Sequence, residues 1–146
     1  MKIYTIGFTG KGAERFFTLL QKSGVTTVID VRLNNSSQLA GFAKKNDLAY
    51  FLKAICGINY KHSPNLAPTE EILKGYKKGV ITWREYEDRF NQLLAARHIE
   101  RYFTPESLSD VCFLCSEDTP EQCHRRLVAE YLRDHVDETI EIRHLV

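Results

Sequence analysis

The chain has 146 residues, 43% hydrophobic and 27% charged, a balance that excludes disordered, fibrous and coiled-coil classes. Twenty Lys and Arg against nineteen Asp and Glu leave a net charge of +1, which excludes a bulk polybasic binder of nucleic acid or membranes. That near-neutrality hides an asymmetry: residues 1–62 carry nine basic and three acidic side chains, residues 63–146 eleven and sixteen.

In chain order, Lys2 to Gly7 reads as a first strand, and Ala13, Phe16, Phe17 and Leu20 mark one face of a helix that Gly24 stops. Thr26 to Val31 is a second strand, apolar at its centre as a strand covered on both faces should be. Asp47 is the expected cap of a helix carrying Leu48, Phe51, Leu52 and Ile55, with Gly57 just beyond it. Ile58 to His62 is a weaker third strand. Residues 63–104 read as a helical insertion, in which Thr82 and Glu85 have capping-box spacing ahead of a stripe of Trp83, Tyr86, Phe90, Leu93 and Leu94. Val111 to Cys115 is the clearest strand. Thr119-Pro120-Glu121-Gln122 then predicts a helix start, and Thr139 to His144 a closing strand.

Strands alternating with helices predict one α/β domain over residues 1–146. The expected form is a Rossmann-like three-layer sandwich with a mainly parallel sheet of about five strands and the insertion before the fourth. Ligands in such sheets bind beyond the carboxyl ends of the strands, so the loops following the strands carry the functional expectations. No apolar run reaches the ~20 residues of a membrane span, and residues 1–7 hold no signal core. A cytoplasmic chain with reduced thiols, and no membrane partner, is therefore expected.

The first such loop, Gly7 to Gly12, is glycine-rich but matches neither standard phosphate-binding spacing, so a tight turn competes with an anion cradle. After the second strand, Asp30 and Arg32 either pair with neighbours or leave Arg32 as a fork for phosphate or carboxylate. The connection that follows is long enough to suggest function, with Asn34 and Lys44 among its polar and cationic side chains.

The segment Cys115 to Arg126 is the richest in chemistry. A thiol near a helix N-terminus and cations becomes a better nucleophile, and a Cys–His pair supports acid–base-assisted covalent chemistry. Cys115, Glu117, Cys123 and His124 are the catalytic candidates, whereas Cys56 and Cys112 read as buried core thiols. Cys112 and Cys115 stand three apart on a strand and point to opposite faces, so they do not form a redox pair. Cys115, Cys123 and His124 supply three potential metal ligands, one short of a closed zinc site, and no metal is assigned.

Thr5-Ile6-Gly7, Asp30-Val31-Arg32, Leu114-Cys115-Ser116-Glu117 and Cys123-His124-Arg125-Arg126 together resemble the domain-of-unknown-function 488 family of bacterial and archaeal proteins. The likeness covers essentially the whole chain and implies a compact Rossmann-like α/β sandwich, without an activity. Gly7, Asp30, Arg32, Cys115, Glu117, Cys123, His124 and Arg125 match the family's motif positions. Where the family often has His-Ser after the first Gly, this chain has Phe8-Thr9, so a mechanism using that His as base does not run here.

Two functions follow as expectations. The first is an enzyme, or enzyme-like domain, that binds an anionic ligand (nucleotide, nucleic-acid end or phosphorylated metabolite) through Gly7, Asp30, Arg32, Asn34, Lys44 and Arg125. The insertion bearing Tyr76, Trp83 and Tyr86 would cover that site, or else simply pack into the core. The second is a non-catalytic module docking nucleic acid or protein, with the Cys/Glu/His/Arg cluster structural. No cofactor is named, and homo-oligomerisation is compatible with either.

Overall fold

In the computed structural model, which describes residues 1–34, 41–117 and 119–146, the sheet order is β3-β2-β4-β1-β5 and every pairing is parallel. The strands are β1 (Lys2–Gly7), β2 (Thr27–Asp30), β3 (Asn59–His62), β4 (Val111–Cys115) and β5 (Glu141–Leu145). The helices are α1 (Ala13–Ser23), α2 (Lys45–Phe51), α3 (Glu70–Lys77), α4 (Trp83–Ala96), α5 (Pro105–Leu108) and α6 (His124–Val136). This is the expected α/β sandwich of Rossmann type.

All five residues of β4, the central strand, are buried. Its odd and even positions feed two separate cores. Val111, Phe113 and Cys115 join α4 and α6 through Phe90, Leu94, Val128 and Leu132. Cys112 and Leu114 join α1 and α2 through Phe16, Phe17, Leu20, Leu48 and Leu52. The opposite orientation expected of Cys112 and Cys115 is therefore observed.

Local signals fix several helix ends. Gly24 (φ 85°) terminates α1 and Gly57 (φ 67°) the π-helical turn Leu52–Cys56 that extends α2, both in the left-handed region where only glycine is unstrained. Thr69 caps α3, and Thr82 with Glu85 forms a full capping box at α4. Asp47 lies in the first turn of α2, whose cap is Lys44.

One boundary is corrected. The last long helix begins at His124, with Cys123 at its N-cap, and not at Pro120. Residues 120–123 instead form a turn closed by the Cys123 N–H on the Pro120 carbonyl (3.3 Å), and the Arg126 N–H on the Cys123 carbonyl (3.2 Å) opens the helix. The Thr-Pro-x-Gln cap signature is satisfied only by local bonding, and here the anchoring of Arg125 on Thr5 and the Glu117 carbonyl sets the helix start.

Candidate functional site

The strand order brings the site into being. From β2 the chain passes to α2 and outward to β3; from β4 it passes to α6, on the other face, and in the opposite direction to β5. Adjacent strands whose continuations diverge leave a crevice beyond their carboxyl ends, where ligands of α/β sheets bind. A cavity of about 460 Å³ lies there, lined among others by Arg32, Asn34, Cys115, Glu117, Cys123 and His124.

At its base stands Cys115, the last residue of β4. Its Sγ is 3.4 Å from Nδ1 and 3.7 Å from Nε2 of His124, the first residue of α6. His124 Nε2 is 2.7 Å from the Val31 carbonyl oxygen. A carbonyl only accepts, so Nε2 carries the proton and, in the neutral ring, Nδ1 is the accepting nitrogen, with the Cys115 sulfur lying against the ring nearly equidistant from both. The chain just beyond β2 thus sets the tautomer, and Val31 is itself held there by its N–H on the Leu114 carbonyl (3.0 Å).

The Cys115 thiol is held below its ordinary range by the hydrogen bond from Cys123, assisted by the Ser116 backbone N–H and the charge of Arg125 against the opposing effect of burial. Cys123 is pushed well upward, first by that hydrogen bond to Cys115 and then by burial. The hydrogen bond between the two sulfurs thus moves them in opposite directions, Cys115 down and Cys123 up. Cys112 is pushed up by burial in the other layer. Cys56 is half-buried, less covered than expected, with its Sγ 3.7 Å from the Phe17 carbonyl.

Arg125 is completely buried. Its guanidinium donates from Nε to Thr5 Oγ1 (3.2 Å) and from Nη1 to the Glu117 carbonyl, clamping the loop after β4 to β1. Thr5 Oγ1 is in turn 2.6 Å from Nδ1 of His144 on β5. The His144 pKa is lowered by burial and then by the Arg125 charge, with Arg126 adding to it and Glu130 and Glu121 opposing. The fold therefore favours the neutral ring of His144 beside the Thr5 hydroxyl. A group whose folded pKa lies below its unfolded value of 6.5 contributes stability that is full above 6.5 and lost as pH falls through the folded value. The urea midpoint should fall between about pH 7.5 and about pH 5.5, and by less in His144→Gln, which keeps an acceptor for Thr5. Equal falls in both proteins would refute the assignment.

Asp30 and Arg32 form a buried, two-pronged pair, with Arg32 Nε to Oδ1 at 2.9 Å and Nη2 to Oδ2 at 2.7 Å. Asp30 also accepts from the Arg32 N–H and from Tyr60 Oη, and Arg32 Nη2 donates to the Ala43 carbonyl. Nη1 is buried without a hydrogen-bond partner among the described residues, with the guanidinium carbon 5.2 Å from the Phe8 ring centroid. Arg32 thus ties the end of β2 to the turn before α2, which matches the pairing alternative.

The first loop is a tight turn, with Gly10 at φ 79° and the Lys11 N–H on the Phe8 carbonyl. Gly7 has a steric role: a Cβ there would lie 1.5 Å from the Glu117 carbonyl oxygen. Lys44 is exposed as the cap of α2 and is not among the cavity's lining residues, whereas exposed Lys77 is. Residues 35–40 and Asp118, which belong to the two loops read as functional, lie outside the described residues.

The far wall is aromatic. Trp83 stacks on Tyr86 (4.7 Å, 20°), and Tyr76 meets both edge-on at 5.4 Å. Tyr76 Oη donates to Gln122 Oε1 (3.0 Å), joining α3 to the loop before α6. These side chains pack against the core and line the cavity, so the two alternatives for the insertion coincide. Sequence reasoning missed the Val31 carbonyl and Ser116 N–H, which are main-chain groups, and Thr5, whose hydroxyl in an otherwise apolar strand was a readable signal.

The model of a domain of unknown function, DUF488, matches residues 12–132. The chain belongs to the DUF488 family. No curated protein and no solved structure matches it. Within the DUF488 match lie the crevice strands β2 and β4, the aromatic wall and the Cys123-His124-Arg125 segment, while β1 and β5, which hold Thr5 and His144, fall outside it. No helix among the described residues is long and apolar enough to cross a membrane.

Proposed function

We propose that the cavity is the active site of a thiol-dependent enzyme in which Cys115 attacks a small electrophilic ligand and His124 moves the proton. The observation that carries this reading is the placement of Cys115 at the base of the cavity with His124 Nδ1 at 3.4 Å, the nucleophile–base–orienter arrangement completed by the Val31 carbonyl. In the attack His124 Nδ1 takes the thiol proton of Cys115 as a bond forms from its sulfur to the electrophilic centre. The leaving group departs with its electron pair and takes the proton held by His124. Water then cleaves the sulfur bond and restores the thiol.

The Trp83–Tyr86 wall suits a flat or apolar portion of the ligand. The anionic ligand class is retained, with Lys77 in place of Lys44 as the lysine lining the cavity. Gly7, Asp30 and Arg125 support the site from behind the lining, Arg32 lines the cavity while paired with Asp30, and Glu117, exposed at the rim, is the carboxylate among the described lining residues.

Iodoacetamide followed by peptide mass mapping tests this. Cys115 should be modified before Cys56, Cys112 and Cys123, and His124→Ala should slow it by ~10-fold or more. Modification of Cys115 no faster than that of Cys112, sealed in the opposite layer, would refute the reading.

A further inference from the structure

We infer that Cys115, Cys123 and His124 form a binding site for a soft divalent cation, zinc being the biological one, with three protein ligands and a fourth position open to the cavity. The ligating atoms of all three side chains lie within 4.8 Å of one another, and all three residues are buried. Tetrahedral zinc with sulfur at about 2.3 Å and nitrogen at about 2.0–2.1 Å places those ligand atoms roughly 3.5 Å apart. The Cys115 sulfur stands 3.4 Å from His124 Nδ1 and 3.7 Å from Nε2, so the spacing suits the ion and a turn of the ring aims Nδ1 at it.

Two further observations point the same way. A metal-bound histidine characteristically donates its other ring N–H to a carboxylate or backbone carbonyl, which orients the ring and fixes its tautomer. His124 does this with the Val31 carbonyl at 2.7 Å. Cys123 occupies the N-cap of α6, where Ser, Thr, Asp or Asn would bond the free helix N–H groups, yet its side chain makes no capping bond. Its sulfur is turned toward Cys115.

The donor set selects the ion. Two sulfurs and an imidazole favour zinc over magnesium or calcium, which take oxygen ligands. Two thiolates balance the charge of a divalent ion, and their protons pass to solvent as it enters. The three-ligand count, which argues against a closed structural site, is what an open site requires, because the remaining direction faces a cavity. Water or a ligand atom completes the coordination from there.

The inference goes beyond the thiol reading, since sulfur held by a metal is not free to attack. Metal-free and loaded chains are two states of one site. The test is titration of the reduced, metal-free full chain with Co²⁺. One equivalent should produce a sulfur-to-cobalt charge-transfer band and the strong visible absorption of four-coordination, both displaced by Zn²⁺. Cys115→Ser and Cys123→Ser should each remove roughly half of the charge-transfer intensity, Cys56→Ser none. Zn²⁺ should also protect Cys115 from iodoacetamide.

Absence of the band in folded protein whose Cys115 alkylates readily overturns the metal site and leaves the thiol enzyme standing. A band unchanged in both Ser variants places the ion elsewhere and likewise overturns it. A band in a protein whose metal-free Cys115 resists alkylation supports the metal site and removes the thiol enzyme.

Discussion

Gly7→Ala should lower the melting temperature by about 10 °C and unsettle the loop that carries Ser116 and Glu117. The added Cβ would lie 1.5 Å from the Glu117 carbonyl oxygen, 2.6 Å from its carbon and 2.7 Å from Arg125 Nη1. Backbone atoms have no rotamer to escape into, so the loop after β4 must move. Moving it breaks the Glu117–Arg125 bond that clamps this loop to β1. Overpacking costs about 1–3 kcal/mol, and a lost hydrogen bond to a buried charged group about 1.5–3 kcal/mol. The sum is about 2.5–6 kcal/mol. Thermal unfolding measures it, and iodoacetamide labelling of Cys115 reports the displacement of the neighbouring loop. A melting temperature within a degree or two of the parent would mean that Gly7 and Glu117 do not meet as described.

Asp30→Ala should be about as damaging, for an electrostatic reason. Arg32 is 2% exposed and Asp30 fully buried, so removing the carboxylate leaves a guanidinium in the interior with the Ala43 carbonyl as its remaining described acceptor. Breaking a buried pair from one side costs about 3–5 kcal/mol. Arg32→Ala should cost less, because the Arg32 backbone N–H and Tyr60 Oη still serve the Asp30 carboxylate. The double variant Asp30→Ala/Arg32→Met removes both charges and should recover a large part of the loss, a non-additivity that urea unfolding of the three proteins would reveal. Additive losses would show that the two side chains act independently. Arg32→Ala is accordingly a poor control for ligand binding, since it alters the scaffold first.

The strands were legible because β1, β2 and β4 bury both faces and therefore read as apolar runs with few helical alternatives. The candidate cluster was legible too, since Cys115 ends the plainest strand and Cys123-His124 precedes a long amphipathic helix. The start of α6 was obscured by Thr119-Pro120, a strong local signal overruled by a tertiary one, the anchoring of Arg125 on Thr5 and Glu117. The partner of Arg32 was decidable in principle: residues two apart on extended chain share a face, which places Asp30 beside it. Main-chain groups were beyond reach. Nothing in the identity of Val31 says that its carbonyl orients His124, and nothing in Gly7 alone names Glu117 as its neighbour.

The aromatic wall carries a consequence for observation of the protein. Trp83 is the chain's one tryptophan, held within the Thr82–Glu85 capping box and stacked on Tyr86 over the cavity. Emission excited at the red edge of the absorption therefore comes from this wall alone, with no background from a second indole. The protein brings its own fluorophore to the crevice between β2 and β4, and whatever enters that crevice does so in view of it.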